Sequence, residues 1–310
     1  MSLKTIVETL GGDLYDGGRR ANIPAPGHSA LDRSVSLLLQ GGRVIAHAFG
    51  GGDWREVLDH LRGLNLIDAA GAPLSVAAAA RSAAVGPLPT RLERRDAALR
   101  LWEGGRAIGG SLSERYCRAR GLLGRLPGDA ALRHNPQTPV SAYRHDGPAR
   151  PALLAAIRAP DGTLTAVEVT YLTPQGRRAT DLRLSRKTVG TMPAGCAIRL
   201  DPAAEAMLVG EGVFTTCSAC AWFGLPGWAL GSAHNLRSWS APPGVRCVVI
   251  AADRGEAGER SAAKLLRRLE NMGVAAAVAL PPPPHGDWND WARAVGLGCR
   301  HGRVDRVSAT

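Results

Sequence analysis

Between residues 206 and 291 the apolar positions fall into short continuous runs separated by helix-length stretches. Ala206-Met207-Leu208-Val209 and Val245-Arg246-Cys247-Val248-Val249-Ile250-Ala251 have the nearly unbroken, β-branched character of strands buried on both faces, and Val274 to Leu280 repeats it. From Glu256 to Leu269 the period changes: Ala262, Leu265, Leu266 and Leu269 share one helical face, and Arg260, Lys264, Arg267 and Arg268 the other. Strand, amphipathic helix and strand make a βαβ crossover, so this region predicts an α/β unit with a mostly parallel sheet. Thr215, Thr216, Ser218 and Ala219 lead into another helix-length segment, and Gly224-Leu225-Pro226-Gly227 turns the chain before Trp228-Ala229-Leu230.

The upstream pattern is different. Leu3 to Leu10 reads as a short helix stopped by Gly11-Gly12, and the segment from Ile23 to Ser34 reads as turn-rich. Val35 to Leu39 and Arg43 to Phe49 form a hairpin about Gly41-Gly42, followed by a helix to about Arg62 with Asp53 as its N-cap. Ala, Gly, Pro and Ser then dominate from Asn65 to about Thr90, a linker composition, before two basic helices within 91–126, the second capped by Ser111 or Ser113. Residues 131–200 read as β-rich. Ala152 to Ile157 and Ala166 to Leu172 flank an Asp161-Gly162 turn, and Gly190 to Leu200 supplies a further strand. The fold class is α/β (α+β overall), in five regions: 1–64, a β-hairpin and helix module; 65–130, linker and basic helices; 131–200, a β-rich subdomain; 201–298, the parallel-sheet domain; and 299–310, a basic tail.

Chemistry enters at the strand ends. Glu211 follows the first run, Asp253 the second, and Asp287 and Asp290 the third. Open α/β sheets hold their ligands at the carboxyl edge of the strands. Carboxylates gathered there raise one another's pKa unless a cation intervenes. Hard oxygen ligands suit Mg²⁺ or Mn²⁺, which keep waters and complete their shell with phosphate oxygens.

The succession Leu208-Val209-Gly210-Glu211-Gly212, Val248-Val249-Ile250-Ala251-Ala252-Asp253-Arg254-Gly255-Glu256-Ala257-Gly258 and Gly286-Asp287-Trp288-Asn289-Asp290 resembles the Toprim domain of primases and topoisomerases, in the form found in primase-like proteins of phages, plasmids and other mobile elements. The resemblance implies a Rossmann-like parallel sheet, Glu211 as general acid/base of phosphoryl transfer, and Asp253, Asp287 and Asp290 as holders of divalent metal. The family's second strand usually ends in Asp-x-Asp, and Gly255 stands here at the second acid, with Glu256 as the neighbouring substitute. The N-terminal hairpin is similar to the primase zinc ribbon. It has no cysteine before Cys117, so zinc is not expected, and His28, His47 and Asp32 read as scaffold rather than ligands.

A formal charge of +11 favours acidic partners, nucleic acid above all, although Arg-rich, Lys-poor composition is also what GC-rich coding gives. Candidate phosphate contacts are Arg115, Arg118 and Arg120 in the second basic helix, Arg177, Arg178, Arg183, Arg186 and Lys187 after the β-rich strands, and His28 and Arg33 in the N-terminal module. Ser232, His234 and Asn235 are candidates for a substrate loop. Cys217-Ser-Ala-Cys220 lacks a second ligand pair and reads as packing. No signal sequence or long apolar span is read, which suggests a cytoplasmic protein with no membrane partner. What the resemblance implies is metal-dependent primer synthesis on single-stranded or template DNA from nucleoside triphosphates, with a replicative helicase among the candidate partners. The alternatives are a Toprim nuclease and an inactive DNA-binding accessory protein.

Overall fold

The computed structural model describes residues 2–26, 32–49, 54–64, 66–74, 90–143, 147–182 and 184–296. The chain divides into two compact units, Met1–Leu88 and Pro89–Thr310. His28, Asp53, Arg183 and the 299–310 tail lie outside the described residues.

In the first unit, helix α1 (Lys4–Leu10) precedes an antiparallel sheet in the order β1 (Asp13–Tyr15), β2 (Arg20–Ile23), β3 (Val35–Gln40) and β4 (Arg43–Ala48), and α2 (Trp54–Gly63) follows. Alternation sorts the strands: Val35, Leu37, Leu39, Val44 and Ala46 point inward to a core with Leu3, Ile6, Val57, Leu58 and Leu61. Residues 13–23, to which the sequence pattern assigns no element, are ordered as strands. β1 and β2 form a hairpin through Asp16-Gly17-Gly18, too short to show a period of two, with the Tyr15 hydroxyl donating to Asn22 Oδ1.

The second unit begins with α3 (Arg91–Glu103), which opens on a capping box between Thr90 and Glu93, and α4 (Leu112–Ala119), capped by Ser111. They are not a free basic segment. α3 packs Ala97, Ala98, Leu101 and Trp102 on one face of the antiparallel sheet β5 (Leu132–Pro139), β6 (Ala149–Arg158), β7 (Leu164–Tyr171), β8 (Arg186–Gly190), while Tyr116 and Cys117 of α4 join the core on its other face. Covered on both sides, β6 buries every residue from Ala152 to Ile157. The strand expected over 190–200 is displaced: β8 ends at Gly190, Pro193 and Gly195 interrupt the run, and only the two-residue β9 (Ile198–Arg199) re-forms.

β9 is the antiparallel edge of the third sheet, whose order is β13-β12-β10-β11-β9. β10 (Ala206–Gly210) lies parallel to both β11 (Gly227–Ala229) and β12 (Cys247–Ala251), and β12 to β13 (Ala275–Ala279). The connections run through α5 (Val213–Phe223), α6 (Ala233–Ser238) and α7 (Glu256–Asn271), and α8 (Trp288–Ala294) closes the domain. Met207, Leu208, Val209, Val248 and Ile250 are fully buried, and α7 turns Ala262, Leu265 and Leu269 onto the sheet as its period predicts.

Candidate functional site

The register makes three neighbouring strands, β10, β12 and β13, end level: Gly210 pairs with Ala251, and Ala251 with Ala279. Glu211 therefore stands one residue and Asp253 two residues beyond the same line. Two bonds from Arg254 bring the third acid loop in. Its backbone N–H donates to Gly286 O at 2.7 Å and its Nε to Pro281 O at 2.7 Å, tying the turn after β12 to the segment after β13. Asp287 then caps α8, its Oδ1 accepting from Asp290 N at 2.7 Å.

Three neighbouring acids act on Asp253 through their charges. Asp253 is half-buried, its Oδ1 is buried with no hydrogen-bond partner, and burial together with the charges of Glu211, Asp287 and Asp290 pushes it up to about 7. Glu211 is also raised, by burial, against the opposing pull of the Ala233 backbone N–H and the Arg186 guanidinium. Glu256 has no part in this. It is exposed, pairs with Arg260 one helical turn on, and is not among the charges acting on Asp253.

Among the described residues no three His, Cys, Asp or Glu side chains stand close enough to form a ready-made metal cage. A divalent cation fits the edge nonetheless: Asp253 Oδ1 is an orphaned buried carboxylate oxygen under the negative charge of Glu211, Asp287 and Asp290, and Mg²⁺ takes only one or two protein carboxylates. Gly255 is more than a lost ligand. It is the N-cap of α7 with φ 115° and ψ 155°, a conformation essentially reserved to glycine, although the space around it is open. Beside the acid edge, a Cβ on Gly210 would stand 2.6 Å from Thr216 Oγ1, so α5 lies against the strand end that carries Glu211.

The basic candidates separate into two groups. Arg115, Arg177 and Arg178 are exposed, and the Arg115 stem lies against Gly176 in the β7–β8 connection, so the three share one region of the surface. Arg178 Nε donates to Ser185 Oγ at 2.7 Å, and Arg186 pairs with Glu168 at 3.4 Å. Lys187 Nζ donates to Val140 O at 2.6 Å over the Tyr171 ring, and burial lowers it to about 8. Arg118 and Arg120 have internal partners instead. Arg118 Nη1 holds the carbonyls of Leu122 and Gly124, and Arg120 bonds Asn289 Oδ1 through Nε and Nη2 at 3.2 and 2.7 Å.

In the loop after β11, Ser232 caps α6, accepting from Asn235 N, and Asn235 is buried in bonds to Gly195 N, Cys196 O and Leu230 O, which makes it a brace for that loop. His234 lies in α6. Cys217 and Cys220 are free thiols raised by burial, Cys220 to about 12. In the first unit Arg33 pairs with Asp13 at 2.9 Å, Asp32 accepts from Ala25 N and Ser34 N, and exposed His47 meets Phe49 edge-on. Two residues of the site escaped sequence reasoning: Glu168, a lone acid on a strand, and Asn289, flanked by acids that drew the notice.

With this geometry in place, residues 206–298 match the family described as Toprim domain, so the C-terminal part of the chain is a Toprim domain. Residues 92–200 match the family described as Domain of unknown function (DUF7146), which joins α3 and α4 to the β5–β8 sheet as the structure does. The chain is similar to the Aquifex aeolicus primase (zinc binding and RNA polymerase domains) at 16% identity and TM-score 0.44, over 95% of this chain and 80% of that one. It is also similar to the DnaG primase catalytic domain bound to ssDNA (13%, TM-score 0.44, 66% and 77%) and to the primase fragment of the bacteriophage T7 primase-helicase protein (15%, TM-score 0.38, 59% and 66%). No curated protein sequence matches. Among the described residues no helix is long and apolar enough to cross a membrane.

Proposed function

We propose that the chain is a primase-like nucleotidyltransferase that extends a primer on a DNA template from nucleoside triphosphates with Mg²⁺ or Mn²⁺. The observation that carries this reading is the unpartnered, buried Asp253 oxygen at an edge shared with Glu211, Asp287 and Asp290. Asp253 holds the cation, with Asp287 and Asp290 adding negative charge beside it. The cation, when bound, neutralises phosphate charge and aligns the triphosphate with a 3′-hydroxyl. Glu211, protonated more readily than an ordinary carboxylate, takes the proton of that hydroxyl as its oxygen bonds the α-phosphorus and the bond to the leaving pyrophosphate breaks, and passes the proton on to pyrophosphate or solvent, a role its raised pKa suits. Arg186, held by Glu168, keeps a positive charge near Glu211, and Arg115, Arg177 and Arg178 offer a phosphate-binding surface in the same unit.

Template-dependent primer synthesis in Mg²⁺ and in Mn²⁺, with intact DNA as a parallel substrate, tests the reading. Products that need template and triphosphates support it. Strand cleavage in their place selects the nuclease. DNA binding that is equally strong in EDTA, with no turnover in either metal, selects the accessory protein.

A further inference from the structure

Helix α8 is only seven residues long, so it has little stability of its own and must be held by its surroundings. It carries Asp287 at its cap and Asp290 in its first turn, and between them Asn289 is 0% exposed. Both functional groups of that amide are engaged. Its Oδ1 accepts from Arg120 Nε and Nη2 at 3.2 and 2.7 Å, and its Nδ2 donates to Arg120 O at 2.8 Å and to Ser218 Oγ at 3.1 Å. The Arg120 guanidinium in turn lies over the Phe214 ring of α5, 4.6 Å from its centroid. One amide thus ties the end of α4, the middle of α5 and the acid-bearing end of α8 together.

Apart from one longer hydrogen bond, Trp288 Nε1–H to Ala279 O at 3.3 Å, the other side-chain contacts of α8 are mainly apolar. Trp288 and Trp291 pack against α5, with Trp222 4.5 Å from Trp291 and Phe223 5.2 Å from Trp288. Apolar burial is non-directional and leaves a short helix free to roll on its support. Hydrogen bonds to a buried amide are directional and fix the rotation. That rotation decides whether Asp287 and Asp290 face Asp253, and repulsion among the acids drives it the wrong way until a cation arrives. A positively charged guanidinium bonded to the residue between the two acids opposes that drift.

We propose that Arg120 and Asn289 form a positioning clamp that sets the α8 acids against Asp253 and so prepares the edge for a divalent cation. Neither residue touches the cation or substrate; both act through α8. The inference rests on the metal-dependent reading above, and it turns the Arg120 of a basic helix from a nucleic-acid contact into part of the metal centre's support.

Mn²⁺ binding to the full chain, followed by electron paramagnetic resonance and calorimetry without DNA or nucleotide, is the test. Asn289→Ala and Arg120→Lys are expected to weaken Mn²⁺ binding about 10- to 100-fold, the range found when supports of metal ligands are removed, whereas Leu269→Ala, which loosens the core under α7, leaves it within about twofold. Arg120→Lys keeps the charge but loses the forked bond to Asn289 Oδ1, so it decides the matter if Asn289→Ala does not fold. Folded clamp variants that bind Mn²⁺ as the unaltered protein does overturn the clamp alone. An unaltered protein that binds no Mn²⁺ overturns the metal reading and the clamp with it.

Discussion

Replacing Asp253 by Asn is expected to make the metal-free protein more stable at pH 8. A carboxyl whose folded pKa lies above its unfolded one binds its proton more tightly in the folded state. It therefore subtracts nothing below the unfolded value and progressively destabilises as pH rises through the folded value. For Asp253 the interval runs from 3.8 to about 7, because burial and three neighbouring acids oppose its ionisation. At about 1.4 kcal/mol per pH unit this interval amounts to about 4 kcal/mol, and solvent screening of a half-buried group reduces it to about 2. Glu211, raised in the same direction, adds to the loss. Asn keeps the shape and cannot ionise, so it escapes the penalty. Thermal melts in EDTA at pH 5 and pH 8 read this directly: Asp253→Asn should melt several degrees higher at pH 8, the gap should narrow at pH 5, and Mg²⁺ at pH 8 should raise the melting temperature of the unaltered protein but not of the variant. An Asp253→Asn protein no more stable than its parent at pH 8 in EDTA refutes the reasoning, because the ionised carboxylate would then have a partner.

Three further outcomes follow from the same geometry. Glu211→Gln should lower template-dependent synthesis about 10²- to 10⁴-fold with folding and DNA binding retained, and full activity in primer assays would remove Glu211 from the chemistry. Gly255→Asp should destabilise by about 1–3 kcal/mol in denaturant unfolding, because φ 115° strains any side chain, with no gain in Mg²⁺ affinity to offset it; a lower Mg²⁺ requirement at parental stability would show that the missing carboxylate was limiting. Charge removal at exposed Arg177 and Arg178 together should flatten the salt dependence of DNA binding by about two ions, and an unchanged slope would place the phosphate track elsewhere.

The Toprim strands and α7 were legible because burial on two faces leaves an unbroken β-branched run and burial on one leaves a helical stripe. Both patterns are local. Glu211 and Asp253 were legible for the same reason, since each directly follows such a run. What escaped depends on partners distant in sequence. Arg118 and Arg120 look like a basic helical face, and only the fold shows one holding the 122–124 carbonyls and the other reaching Asn289, 169 positions on. Gly255 reads as a deleted ligand until its backbone shows a conformation that strains any side chain placed there. β1 and β2 are too short to reveal alternation, and the expected strand at 190–200 shifted because Pro193 and Gly195 outweigh the apolar residues around them.

The contact between Gly210 and Thr216 gives the acid edge an unusual kind of gauge. Glu211 has no side-chain ion pair among the described residues; besides the backbone N–H groups of Ala233 and Gly231, its setting depends on how closely α5 settles on β10, where a methyl on Gly210 would stand 2.6 Å from Thr216 Oγ1. Restoring that methyl as alanine would leave every charged group in place and yet lift the helix, tilting the turn that presents the carboxylate. The tolerance of the centre therefore depends in part on a residue with no chemistry of its own, and variation at position 210 should be read as variation in the alignment of position 211.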